Sequence, residues 1–199
     1  MAELAYEWLG RAAYREVYAR QRQEREAVWA GGPGRVLLCE HPPVLTLGRS
    51  ATEAHIFDAR DIDVERIERG GEVTYHGPGQ LMVYAIVRIK SVVGFLEAVA
   101  NAIVEASAVF GVDGAAWKRD PAGVWIGERK LAACGIHVAR GVVLHGFAFN
   151  IATPPDAWRR IRPCGLDVPQ VSLSDARGEP ASVEQVAREL GPRVVRAVR

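Results

Sequence analysis

The sequence has little lysine and no excess of charge of one sign. Its 25 Lys and Arg residues nearly balance its 24 Asp and Glu residues, which leaves a net charge of +1. Without a strong positive field, neither nucleic acid nor an anionic membrane is an expected partner. Lysine occurs only as Lys90, Lys118 and Lys130. A reaction that needs a primary amine therefore has three candidate side chains.

Cysteine is equally scarce, with only Cys39, Cys134 and Cys164 present. An odd number without disulfide-framework spacing is typical of a reducing compartment in which a thiol stays free. The N-terminus lacks the charged and apolar parts of a signal peptide, and apolar stretches such as residues 142–151 are too short to span a bilayer. We therefore expect a soluble cytoplasmic protein.

Several common motifs are missing. The sequence contains no Walker loop, no strand-linked G-x-G-x-x-G, no H-E-x-x-H and no G-x-S-x-G, so nucleotide-binding, zinc-protease and serine-hydrolase functions lose their usual support. Cys39-x-His41 and Cys134-x-x-His137 contain ligand types for a metal ion. In a strand, however, positions 134 and 137 point to opposite faces, so we expect no metal site there.

The chain is long enough for one domain over residues 1–199, with 49% hydrophobic residues to form its core. Apolar periodicity predicts helices over residues 10–30, 91–110 and 182–190, the last interrupted by Gly191-Pro192. Strands are predicted over these segments: 36–39, 44–47, 72–75, 81–89, 123–126, 130–138 and 142–151. Their close spacing does not fit regular βαβ alternation, and the expected fold class is α/β (α+β) with a mixed sheet flanked by helices.

The most unusual segment is the glycine-rich run from Arg69 to Gln80. By itself it could be a hairpin whose Tyr and His are ordinary core residues. The whole string nevertheless resembles the signature of the octanoyltransferase family. Matching segments follow in the family's order over roughly residues 35–175: Glu40 to Arg49, Gly127 to Gly135, His145 to Asn150 and Pro163-Cys164-Gly165.

This resemblance implies the catalytic fold shared by octanoyltransferases, lipoate ligases and biotin ligases. It implies Cys164 as the nucleophile and Lys130 as the residue that lowers the thiol's pKa, because a nearby ammonium favours the thiolate. Read without the resemblance, Cys164 could be a small buried apolar residue and Lys130 a solvated surface residue. Cys134 stands where the family usually has an aliphatic residue, and it is the alternative nucleophile.

The resemblance also implies an acyl-binding site with three walls. The first is residues 69–76, the second residues 133–135 and the third residues 146–148. The predicted substrate-binding residues are Arg69, Gly70, Gly71, Glu72, Val73, Thr74, Tyr75, His76, Ala133, Cys134, Gly135, Gly146, Phe147 and Ala148. His76 and His145 are either orienting groups or hydrogen-bonded core histidines.

The expected donor is octanoyl-acyl carrier protein, and the expected acceptors are lipoyl domains of 2-oxoacid dehydrogenase complexes and the glycine cleavage H protein. The acyl group arrives on phosphopantetheine as a thioester, so no further cofactor and no metal are expected. Two alternatives stay open. One is an ATP-dependent lipoate or biotin ligase of the same fold, and the other is a non-catalytic carrier-binding module.

Overall fold

The computed structural model describes residues 3–59, 61–162 and 168–199. Ten strands and four α-helices are defined within these residues. The strands are β1 (Ala5–Arg11), β2 (Arg35–Glu40), β3 (Val44–Leu47), β4 (Asp63–Arg66), β5 (Val73–His76), β6 (Gln80–Ile86), β7 (Ala115–Arg119), β8 (Ala122–Ile126), β9 (Arg129–Ala139) and β10 (Val142–Asn150). The helices are α1 (Tyr14–Trp29), α2 (Val92–Val109), α3 (Leu173–Arg177) and α4 (Val183–Ala197).

Seven strands form the large sheet in the order β1-β2-β6-β10-β9-β8-β7. Only β1 and β2 pair in parallel, and the other neighbours are antiparallel. The interior strand β6 is buried along its whole length, because both faces of the sheet are covered. This is the mixed sheet flanked by helices that the strand spacing predicts.

The two faces of the large sheet bury different clusters. On one face, α2 and α4 pack against each other and against the strands, so that Phe95, Ile103, Leu190 and Val194 join the main core. α2 is long and apolar enough for a membrane span by composition, but its buried stripe contributes to this core. On the other face lies α1, with Val17 and Val28 in a second cluster.

The remaining strands form a small sheet in the order β4-β3-β5. Because side chains alternate along a strand, Leu45, Leu47, Val73 and Tyr75 point to one face and form their own apolar cluster. The intervening positions point to the opposite face, towards the large sheet. The space between the two sheets holds the candidate site.

The structure corrects the predicted end of the last helix. We expected an interruption at Gly191-Pro192, but α4 continues to Ala197 with Pro192 inside it. Pro192 lacks the N–H of one helical hydrogen bond, yet Val194 beyond it is fully buried in the main core. Burial of this last turn compensates for the lost bond. The sequence patterns also missed the edge strands β1, β4 and β7.

Candidate active site

A narrow cavity of about 40 Å³ lies between the large sheet and the small sheet. We call it the acyl slot. It is lined by Tyr14, Ile67, Arg69, Glu72, Thr74, His76, Met82, Tyr84, Ala133, Cys134, Gly135, His145, Gly146 and Ala148. All three predicted walls contribute to it, because the chain brings β5, β9 and β10 to the same place.

Strand alternation decides which predicted residues reach the slot. On β5, Thr74 and His76 line it, whereas Val73 and Tyr75 point into the apolar cluster behind the small sheet. On β10, Phe147 is buried in the main core. Gly70 and Gly71 also lie outside the lining set: they belong to the loop that covers it, and Gly70 N–H donates to the Ile136 carbonyl at 3.0 Å.

Gly146 shows why this wall needs a residue without a side chain. A Cβ atom there would lie 1.9 Å from the Val83 carbonyl oxygen, which no packing adjustment of a side chain could relieve. The backbones of β10 and β6 therefore approach closely beside the slot.

A directional chain of hydrogen bonds begins at Arg69, which is 7% exposed. Its guanidinium donates to the Thr46 hydroxyl, from Nε at 3.2 Å and from Nη2 at 2.9 Å. Thr46 Oγ1 lies 3.1 Å from His76 Nε2, and His76 Nδ1 lies 2.9 Å from Gln80 Oε1. Gln80 Nε2 then donates to Asn150 Oδ1 at 3.0 Å.

The direction of this chain sets the tautomer of His76. Because the Gln80 amide nitrogen donates to Asn150, the Gln80 oxygen accepts the Nδ1–H of His76. His76 Nε2 then accepts the Thr46 hydroxyl proton. Burial lowers the pKa of His76 to about 3, which agrees with a neutral ring in this role. At neutral pH His76 is thus a neutral, hydrogen-bonded ring.

His145 closes another part of the slot. It has a left-handed backbone (φ 62°), and its N–H donates to Gln21 Oε1 at 2.9 Å. Burial lowers its pKa, whereas pairing with His145 and the hydroxyl of Tyr18 lowers the pKa of Glu68. The lowered pKa of His145 indicates a neutral ring, whereas the lowered pKa of Glu68 would fit a protonated His145. Since Nε2 is 3.6 Å from the Glu68 carboxylate, beyond hydrogen-bonding distance, we assign His145 as neutral and Tyr18 as the donor to Glu68.

Lys130 is buried at the edge of the same sheet face, with 3% of its surface exposed. Its backbone is held by the segment after position 167: Lys130 N–H donates to the Pro169 carbonyl at 2.8 Å, and Val171 N–H donates to the Lys130 carbonyl at 3.0 Å. Lys130 Cε lies against Gly123, where an added Cβ atom would be 3.3 Å from it. Gly123 in turn pairs with Ala133 of the slot wall. The lysine stem therefore lies beside the slot, and it is not a solvated surface group.

Cys164 lies outside the described residues. The described residues on either side of that gap, Arg162 and Val168, line a second and wider cavity of about 490 Å³. Arg162 N–H donates to the His55 carbonyl at 2.8 Å, which fixes the chain before the gap. The chain after the gap is fixed against Lys130, as described above.

The other two cysteines occupy different environments. Cys39 is fully buried on β2, and burial raises the pKa of its thiol far above the usual range, so it is a poor nucleophile. Cys134 is partly buried and lines the acyl slot, where an aliphatic residue would also fit. Among the described residues, no group of three or more His, Cys, Asp or Glu side chains could hold a metal ion.

The sequence patterns missed several residues around the slot. Tyr14 reaches it from the start of α1, Ile67 from the chain after β4, and Met82 from β6. Tyr14 and its neighbours on α1 form an apolar stripe, but this periodicity only indicates burial. It carries no information about the partner that such a stripe meets.

Comparisons with known proteins agree with this geometry. The family profile of the lipoyl protein ligase A/B catalytic domain matches residues 11–193. An octanoyltransferase of Shewanella sp. (strain W3-18-1) is 36% identical over 186 residues, which cover 92% of this chain and 85% of the relative. The octanoyltransferase of Gloeobacter violaceus is 46% identical over 148 residues, covering 71% of this chain and 65% of that protein.

Solved structures with the same fold are more distant in sequence. The bipartite lipoate protein ligase of Thermoplasma acidophilum has a TM-score of 0.75 at 15% identity, covering 99% of this chain and 84% of that chain. The biotin protein ligase of Aquifex aeolicus has a TM-score of 0.56 at 13% identity, covering 100% and 70%. These likenesses confirm the expected catalytic fold. The family profile and the sequence relatives show that the chain belongs to the octanoyltransferase family within the lipoyl protein ligase A/B catalytic domain family, and that it is an acyltransferase of protein lipoylation.

Proposed function

We propose that this chain moves an octanoyl group from octanoyl-acyl carrier protein to the ε-amine of a lysine on a lipoyl domain, through a thioester on Cys164 assisted by Lys130. Lipoyl domains of 2-oxoacid dehydrogenase complexes and the glycine cleavage H protein are the proposed acceptors. The observation that carries the proposal is the placement of Lys130. It is buried beside the acyl slot and bonded to the segment that follows Cys164.

The chemistry needs one nucleophile and one proton carrier. The Cys164 thiolate attacks the thioester carbonyl, a new C–S bond forms, and the pantetheine thiolate leaves with a proton from the Lys130 ammonium. The acceptor amine then attacks the acyl-enzyme, gives its proton to Lys130 and forms the amide as the Cys164 thiolate leaves. The thioester is already activated, so neither ATP nor a metal cofactor is required.

The acyl slot has the properties expected of a binding site for the acyl chain. Its large-sheet wall contains four small residues on β9 and β10: Ala133, Gly135, Gly146 and Ala148. Burying the seven carbons beyond the carbonyl would supply on the order of 5–6 kcal/mol at ~0.8 kcal/mol each. The slot is narrow in this structure, so octanoyl binding requires its side chains to move apart.

The nucleophile can be tested by intact mass spectrometry. Incubation with octanoyl-acyl carrier protein is expected to add one octanoyl group to the wild-type chain and to Cys134→Val, but none to Cys164→Ala. The Cys134 variant is the matched control because Cys134 is the alternative nucleophile and is only partly buried. An acylated Cys164→Ala protein together with an inactive Cys134→Val protein would reverse the assignment.

The same assay separates a transferase from a ligase. Transfer to an unmodified lipoyl domain is expected to continue after apyrase removes ATP, and free octanoate is expected to be a poor donor. A ligase must first form an acyl-adenylate, so transfer that stops without ATP would favour the ligase. No transfer under either condition would favour a carrier-binding module.

A further inference from the structure

Two of the three lysines in the chain share one aromatic ring. Lys130 Nζ lies 4.8 Å from the centroid of the Trp125 ring, and Lys118 Nζ lies 5.0 Å from the same centroid. An ammonium within about 6 Å of an indole face is attracted by the negative potential of the ring. Both contacts meet this criterion.

The two lysines differ in their access to water. Lys118 is exposed, and its ammonium also donates to the Gly127 carbonyl at 2.7 Å. Lys130 and Trp125 are 3% and 4% exposed. Since water screens the attraction between an ammonium and a ring, the contact with Lys130 is the stronger one.

The fold fixes the ring and the lysine relative to each other. Trp125 pairs with Lys130 across β8 and β9, after a bulge that shifts the register between Val124 and Trp125. The indole N–H donates to the Pro121 carbonyl at 3.1 Å, which holds the ring in one orientation. Gly123 leaves room for the lysine stem, because a Cβ at that position would lie 3.3 Å from Lys130 Cε.

We propose that Trp125 is a positioning residue for the transfer reaction: its indole face holds the Lys130 ammonium beside the acyl slot by a cation–π interaction. Lys118, on the same ring, braces the β7–β8 hairpin and is dispensable for catalysis. The inference rests on the proposed role of Lys130. Trp125 acts through Lys130 and does not touch the acyl group.

Fluorinated tryptophans at position 125 test the interaction. Fluorine withdraws electron density from the ring face while nearly preserving its shape. From one to four fluorines, the rate of octanoyl transfer is expected to fall stepwise, by about 10-fold in total. The pH midpoint for alkylation of Cys164 by iodoacetamide is expected to rise in parallel, because a less firmly held ammonium stabilises the thiolate less well.

Trp117 provides the matched control. It lies on the neighbouring strand β7 and packs on Phe147 with ring centroids 6.4 Å apart, so the same fluorination series at Trp117 should leave rate and midpoint unchanged. Lys118→Met should also keep full transfer. Loss of transfer in Lys118→Met would contradict the division of roles between the two lysines.

A spectroscopic readout is independent of activity. The ring current of Trp125 should move the ε-methylene protons of Lys118 and Lys130 upfield of those of Lys90. If fluorination at position 125 leaves the rate of octanoyl transfer unchanged while Lys130→Ala is inactive, the role of Trp125 is overturned and the proposed function stands. A fully active Lys130→Ala protein would instead overturn the proposed function itself.

Discussion

At the scale of single residues, the site contains a buried cation, Arg69, whose guanidinium is bonded to Thr46. The Arg69 guanidinium donates to the Thr46 hydroxyl, to the Thr46 carbonyl and to the Gly70 carbonyl. A buried charge is tolerated only when its donors are satisfied. The Thr46 hydroxyl accepts two of these donors from Arg69. The same hydroxyl also donates to His76.

Thr46→Val tests this link, because valine has nearly the same shape but no hydroxyl. The variant removes the buried hydroxyl that accepts from Arg69 and donates to His76, and we expect a loss of about 1–3 kcal/mol in the free energy of unfolding. Urea denaturation at pH 7 measures it. Thr74→Val is the control: Thr74 lines the same slot from β5 but is not part of the hydrogen-bond chain from Arg69 to Asn150. Equal losses in both variants would refute the special role of Thr46.

At the scale of elements, adjacent antiparallel strands bring small residues to the slot. Ala148 on β10 pairs with Met82 on β6 and with Ala133 on β9. The register therefore places these three side chains on one face of the large sheet, with Met82 and Ala148 in the same apolar cluster. The depth available to an acyl chain depends on the size of these side chains.

Substitutions at Ala148 should consequently change the preferred chain length in opposite directions. Ala148→Val narrows the slot and should lower kcat/KM for octanoyl relative to hexanoyl donors by about 10-fold, whereas Ala148→Gly should favour decanoyl donors. Methylenes are discriminated weakly, so larger effects are not expected. Competition between the donors on one lipoyl domain gives the ratios directly. If both variants shift the preferred donor length in the same direction, Ala148 does not limit the length of the acyl chain that the slot accepts.

At the scale of the whole molecule, three buried histidines couple the fold to pH. Burial lowers the pKa of His76 to about 3 and of His41 to about 4, and it also lowers the pKa of His145. In the unfolded chain these side chains return to their usual pKa near 6.5. As pH falls below that value, the unfolded state binds more protons than the folded state, so stability decreases.

From the histidines, we expect the free energy of unfolding to be nearly constant between about pH 7 and 8 and to fall from about pH 6.5 towards pH 4. His41 and His76 should each contribute a loss of about 2 kcal/mol at pH 5. Urea titrations across this pH range measure how steeply the free energy of unfolding depends on pH. His76→Asn should make this dependence shallower, even though the variant is less stable at pH 7. An unchanged slope in His76→Asn would show that His76 is not the titrating group.

The sequence by itself determined the family, the mixed sheet and the main helices. Periodicity is a local property, so α2 was predicted over residues 91–110 and found over Val92–Val109. The glycine-rich string from Arg69 and the segments around Lys130 and Gly146 were also recognisable, since a resemblance needs only residue types in order. The predicted interruption of the last helix was wrong, because a local rule for Pro192 ignores the burial of Val194.

Only the tertiary structure decided which of these residues meet. Pairing across strands separated the predicted wall into slot residues and residues buried behind it, such as Val73, Tyr75 and Phe147. It also joined Arg69 to Asn150 through one hydrogen-bond chain and placed Trp125 on Lys130. Such contacts join positions far apart in sequence or across a bulge, and they depend on register and packing, which no local pattern of residues encodes.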